Sequence, residues 1–220
     1  MKKTNGKASP REVARLTVEA TALVLFIFLT AAGRLQLWFG IFIAGVVVSV
    51  FAGRLYCGWL CPMNTVFRII MPIRKKLGLG RIKGPSAESG RYIRYAVLIL
   101  FLIAMAAVRI LHLRMNLLLY ITALSALSAL IFGETFWHRS LCPFGTILSI
   151  SSRRALRSVS IDDGLCSGCG ICRKVCPSDS IYVGEDGKMV NAAHECLECY
   201  RCIDVCPAGA CSPGSAEKRE

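Results

Sequence analysis

Two stretches decide how this chain is read: Cys166-Ser-Gly-Cys169-Gly-Ile-Cys172-Arg-Lys-Val-Cys176-Pro177 and Cys196-Leu-Glu-Cys199-Tyr-Arg-Cys202-Ile-Asp-Val-Cys206-Pro207. Three thiolates within seven residues can wrap three iron corners of one [4Fe–4S] cube, while the fourth cysteine of each run points to the other cube. The pattern assigns Cys166, Cys169, Cys172 and Cys206 to one cluster and Cys196, Cys199, Cys202 and Cys176 to a second, and it requires the two cubes to lie close together. Zinc sites more usually show isolated C-x-x-C pairs, and two complete copies leave little room for cysteines that merely pack. Gly168 and Gly170 let the backbone approach the first cluster, whereas Glu195 and Glu198 add negative charge beside the second, which predicts a lower potential there. Asp186-Gly187 between two short β-rich runs predicts a hairpin, and Cys211 lies outside both motifs and reads as a spare thiol.

Outward from these motifs the composition changes. The 220 residues are 54% hydrophobic, with a mean hydropathy of +0.52, above what a soluble domain needs, so the surplus must face lipid. Twelve cysteines could serve a disulfide framework in a secreted protein, but their spacing suits cluster ligation and a reducing compartment. The net charge of +13 is uneven: residues 1–159 hold 21 Lys and Arg against 4 Asp and Glu, and residues 160–220 hold 6 against 10. Basic residues flanking apolar runs fit anionic lipid, and nucleic acid is not an expected partner.

Apolar runs at about residues 13–32, 35–52, 93–111 and 117–136 predict four membrane-spanning helices. Four spans put both termini on one side, where 18 basic residues against 3 on the far side predict a cytoplasmic location in a prokaryotic inner membrane. The first run is too long for the core of a signal peptide, and export would carry the cysteines into an oxidising space. Trp38, Tyr56, Trp59 and Trp137 fall at span ends, as rings at headgroup depth do.

Tyr56-Cys57-Gly58-Trp59-Leu60-Cys61-Pro62 matches Trp137-His138-Arg139-Ser140-Leu141-Cys142-Pro143 at a constant offset of 81, so the four spans read as two repeated hairpins. In each copy the two potential ligands, at i and i+4, share a helix face, and the proline just after the second can end that helix and begin another. Cys57, Cys61, His138 and Cys142 fit two readings equally: a third iron site facing the clusters, or small packing residues with His138 at a headgroup. A redox-active thiol pair at Cys57 and Cys61 ranks below both.

Residues 160–211 resemble the two-cluster bacterial ferredoxin fold, a pseudo-symmetric pair of hairpins and helices around two clusters. The whole chain, with C-x-x-x-C-P after the second span, a related C-P motif after the fourth and this terminal segment, resembles the NapH family of membrane ferredoxins, with related modules in NosR, MauN and CcoG proteins. That family's second copy usually also reads C-x-x-x-C-P, and here His138 stands at its first cysteine. The expected fold is thus an α-helical membrane protein of four transmembrane helices (1–159), an α+β ferredoxin-like domain (160–211) and a disordered tail (212–220). The resemblance implies a membrane electron-transfer subunit with two [4Fe–4S] clusters, exchanging electrons with quinol or a soluble donor and a partner redox protein. Other functions it suggests are an electron-supplying assembly factor for another metalloenzyme and a redox sensor. The three histidines, His112, His138 and His194, are too scattered for a haem.

Overall fold

The computed structural model describes residues 9–78, 87–112 and 116–215. In chain order the helices are α1 (Pro10–Ala31), α2 (Gln36–Ala52), α3 (Leu55–Trp59), α4 (Pro62–Lys76), α5 (Ala87–Ile110), α6 (Leu117–Ile131), α7 (Glu134–Phe136) and α8 (Pro143–Ser151), with a π-helical turn at Trp137–Leu141. Strand β1 (Arg157–Ile161), helix α9 (Ile171–Val175), strands β2 (Ile181–Val183) and β3 (Met189–Asn191), helix α10 (Arg201–Val205) and strand β4 (Cys211–Ser215) complete it. The chain forms two compact units, Met1–Cys61 with Leu148–Glu220, and Pro62–Ile147.

Helix α1 starts where its sequence says it should: Pro10 supplies the first turn, and the Ser9 hydroxyl accepts from the Glu12 N–H at 3.2 Å. Among the described residues, two helices are long and apolar enough to cross a membrane, α1 and the Tyr92–Ile110 stretch of α5. This corrects the expectation of four transmembrane helices. The other two apolar runs form shorter helices: α2 fills its run and ends before Gly53 (φ 66°), whereas α6 ends within its run, just before Gly133 (φ 99°). At 17 and 15 residues, they reach about 25 and 22 Å at 1.5 Å per residue, short of a hydrocarbon core of roughly 30 Å. Large apolar side chains nevertheless stand in the open, Phe28 and Leu100 each 66% exposed. A soluble protein would hide such faces, and the chain is membrane-associated.

The aromatic residues at these helix ends are packed inside rather than placed as headgroup anchors. Trp38 and Trp137 are buried, and the Trp38 Nε1–H donates to the Tyr56 hydroxyl at 2.9 Å. Phe26 meets Trp38, and Phe42 meets Tyr56, edge to face. An indole in the interior needs such a partner for its N–H, which is why Trp38 and Tyr56 come as a pair.

The C-terminal lobe is α+β, with two short antiparallel pairs, β1 with β4 and β2 with β3. Ile161 faces Cys211 in the first pair and Val183 faces Met189 in the second. The hairpin expected at Asp186-Gly187 is present: the Asp186 carboxylate accepts from the Lys188 N–H at 3.1 Å, and Gly187 turns at φ 76°. The expected disordered tail is corrected over its first part, because Ser212 to Ser215 pair with β1; residues 216–220 lie outside the described residues.

Candidate iron–sulfur site

The lobe repeats itself at an interval of thirty residues, and the repeat reaches the backbone. In the first cysteine loop Gly168 and Gly170 both sit at φ 69°; at the matching places in the second, Glu198 sits at φ 54° and Tyr200 at φ 57°. The same left-handed turns carry the three cysteines of each motif around a cavity. After each loop a five-residue helix, α9 or α10, ends at the motif's fourth cysteine, which is extended at ψ 118° (Cys176) and ψ 113° (Cys206). That extension sends the fourth cysteine away from its own loop.

Two cavities result. One is lined by Cys166, Cys169, Cys172 and Cys206 together with Cys211. The other is lined by Cys176, Cys196, Cys199 and Cys202. Each therefore takes three cysteines from one motif and the fourth from the other. These sulfurs surround a volume instead of converging on a point: among the described residues no three His, Cys, Asp or Glu side chains come together as ligands of a single metal ion do. A cube with a ligand at each iron corner needs that wider spread, so the donor set fits it.

The cavity walls disfavour free thiolates at several of these positions. Burial pushes the Cys196 thiol up to about 12, with the Glu198 charge adding to it, and burial beside Cys211 pushes Cys172 up to about 11. Burial likewise raises Cys199. Thiols this reluctant to ionise become thiolates against the positive charge of iron. The Cys176 sulfur lies 3.6 Å from the Ser178 hydroxyl and 3.3 Å from that of Ser180, whereas Ala208 and Ala210 stand at the matching places near Cys206. Cys211, a spare thiol by sequence, is buried in the wall of the first cavity. The thirty-residue repeat was the signal that could have placed it, since Ile181 fills the corresponding wall of the second cavity.

The second loop is seated on the first helices of its own unit, which sequence reasoning missed. Arg15 of α1 donates to the Cys199 carbonyl, and it pairs with Glu19 one turn on at 3.5 Å. Arg54, fully buried, holds the Glu195 carboxylate at 2.9 Å. The Trp59 Nε1–H donates to the Glu198 carbonyl at 3.0 Å, and its ring stands edge-on to Tyr200. Gly58 lies against the Leu197 carbonyl, where a Cβ would collide. By contrast, Leu165, Cys169 and Ile171 of the first loop are exposed.

The remaining predicted ligands fall in different units, Cys57 and Cys61 in one and His138 and Cys142 in the other. All four are buried. The two copies share one local device: the Cys61 N–H reaches back five residues to the Tyr56 carbonyl, and the Cys142 N–H to that of Trp137, both at 2.9 Å. Pro62 and Pro143 then open α4 and α8.

Comparison with known proteins follows these features. A family model described as a 4Fe-4S binding domain matches twice, over residues 34–80 and 115–160, and its two starting points differ by the offset of the internal repeat. A 4Fe-4S dicluster domain matches residues 158–213. An uncharacterised protein of Methanocaldococcus jannaschii is 31% identical over 77% of this chain and 68% of its own length. The ferredoxin-type protein NapH of Haemophilus influenzae is 27% identical over 72% of this chain, and the methylamine utilization ferredoxin-type protein MauN of Methylobacillus flagellatus is 31% identical over 60%. The chain spans 61% of that NapH and 51% of that MauN. No solved structure matches. With two cavities lined by cysteines, two [4Fe–4S] clusters and a membrane-associated helical part, the chain belongs to the ferredoxin-type iron–sulfur family of electron-transfer proteins to which NapH and MauN are related at low identity.

Proposed function

We propose that the chain is the membrane-bound relay of a redox chain, passing single electrons between the quinol pool or a cytoplasmic donor and a partner redox protein. Cys166, Cys169, Cys172 and Cys206 hold one cluster, and Cys196, Cys199, Cys202 and Cys176 hold the other. The observation that carries this reading is the crossed lining of the two cavities, each with three cysteines of one motif and one of the other. The clusters supply one-electron chemistry; the protein holds them close together and sets their potentials. The cluster lobe and the N-terminus lie on the cytoplasmic side. Supporting this is the contact of Arg15 with the Cys199 carbonyl, at the N-terminal end of α1 that also carries Arg11.

Iron and sulfide analysis with EPR on anaerobically purified protein tests the reading, with about eight irons per chain expected for two cubes. Cys199→Ser and Cys169→Ser should each remove about half of that iron and leave the other cluster's signal in place. Cys176→Ser should abolish the same signal as Cys199→Ser. If it instead abolished the signal lost in Cys169→Ser, the crossed assignment would be wrong. Reduction of the purified protein by a quinol supports the quinol branch, and reduction only by a soluble donor supports the cytoplasmic one.

A further inference from the structure

The glutamates of the second loop read from sequence as a reason for a lower potential at the cluster beside them. Their surroundings reverse that. Glu195, one residue before Cys196, is bound by Arg54 at 2.9 Å and also accepts from the Ser149 hydroxyl at 2.9 Å, with His194 3.6 Å away. Glu198 is buried. Arg15 meanwhile delivers a second buried guanidinium to the carbonyl of Cys199, itself a predicted ligand. No arginine from outside the lobe is found, among the described contacts, at the first loop.

We propose that Arg54 and Arg15 form a cationic bracket on the second cysteine loop, which raises the reduction potential of the cluster held by Cys196, Cys199, Cys202 and Cys176 relative to what the same ligands would give alone. The inference rests on the ligand assignment above. Reduction adds one negative charge to a cluster, and a cation fixed nearby in a poorly solvated site stabilises that added charge more than water-screened cations do. An arginine is suited to this because its guanidinium stays charged at every accessible pH and binds a carboxylate or carbonyl in fixed geometry. The two residues come from the two arms of the first helical hairpin at its open end, Arg15 from the start of α1 and Arg54 from the turn after α2. The hairpin thus acts on the second loop. Both are positioning and tuning residues, since neither coordinates iron.

The test is an EPR-monitored redox titration of the full-length protein in detergent, with iron content measured in each variant. Arg54→Gln should lower the potential of one cluster, the one abolished by Cys199→Ser, and leave the other unchanged. Glu195→Gln should raise the same potential. Arg54→Lys should restore most of the wild-type value, and the double variant Arg54→Gln with Glu195→Gln should return close to it. Arg15→Gln should lower the same potential. A purely structural role would not produce opposite signs from the two halves of one ion pair. The proposal is overturned if all variants keep about eight irons and neither single variant moves a potential, if both clusters move together, or if the lysine behaves as the glutamine. Should Arg54→Gln lose iron, Glu195→Gln alone decides: a raised potential upholds the bracket and an unmoved one removes it. Failure of the ligand assignment looks different, because Cys199→Ser would then retain its full iron.

Discussion

The two cysteine loops solve one backbone problem by different means. Each must pass twice through left-handed conformation to carry three thiolates around a cavity. The first does so with Gly168 and Gly170, the second with Glu198 and Tyr200. A side chain in that region costs about 1–2 kcal/mol per residue, so the second loop carries strain that the first avoids. Such strain persists where the surroundings over-determine it. Here they do: Glu198 and Tyr200 hydrogen-bond to each other, Trp59 binds the Glu198 carbonyl and meets the Tyr200 ring, and Arg15 and Arg54 hold the flanking residues. The comparison teaches that the clusters share a ligand pattern without sharing an environment. One is clamped to the helical hairpin, and the other is left with an exposed loop for a partner to approach.

The seat beneath the second loop is the place to break that difference with the largest effect. Gly58→Ala drives a Cβ into the Leu197 carbonyl, which is backbone and has no rotamer by which to escape. Overpacking of this kind costs about 1–3 kcal/mol, and it should fall on the second loop alone. Iron release to a ferrous chelator should become biphasic, with one cluster lost faster than in the wild type and the other at its usual rate. Gly168→Ala reverses the pattern, because that position combines φ 69° with the Gly187 carbonyl 2.9 Å from the added carbon. Equal acceleration of both phases in either variant would mean that the loops are not independent.

A subtler change sharpens the same contrast. Trp59→Phe keeps a ring against Tyr200 and removes only the hydrogen bond to the Glu198 carbonyl. A bond of this type contributes about 0.5–1.5 kcal/mol net, so chelator-driven loss of the clamped cluster should speed up several-fold while the exposed cluster is unaffected. An unchanged rate would show that the ring contact, not the indole N–H, holds the loop.

How far the sequence went depends on whether spacing or environment carried the information. The crossed sets of cysteines that line the two cavities and the hairpin at Asp186-Gly187 were legible as local pattern, because loop geometry and turn geometry are both set within a few residues. The four-span expectation failed for a local reason as well: the 35–52 run yields a helix of only 17 residues, and within the 117–136 run hydropathy does not see the positive-φ Gly133 at which α6 has stopped. Trp38 and Tyr56 were misread because position near a span end does not reveal a partner eighteen residues away. Arg15 and Arg54 were out of reach for a similar reason, since their partners Cys199 and Glu195 are more than 140 residues along the chain. Cys211 could have been placed, had the thirty-residue repeat been carried past the last motif proline to its match with Ile181.

The smallest expected effect lies in two hydroxyls. Beside Cys176, Ser178 stands 3.6 Å from the sulfur, while thirty residues on, Ala208 offers nothing to Cys206. Hydrogen bonds to cluster sulfurs are one lever on potential, because they stabilise the more negative reduced state. Ser180 is the poorer donor of the pair, since its hydroxyl already donates to the Asn191 side-chain Oδ1 at 2.8 Å. Ser178→Ala should therefore lower the potential of the clamped cluster by less than Arg54→Gln does, and Ala208→Ser should raise that of the exposed one. The exchange of both residues at once should move the two potentials in opposite directions, the clamped cluster down and the exposed one up, read in a single redox titration. If Ala208→Ser moved nothing, the reason would be solvent: Ala208 is exposed where Ser178 is buried, and a hydroxyl competing with water at the cluster's edge adds little that water does not already supply.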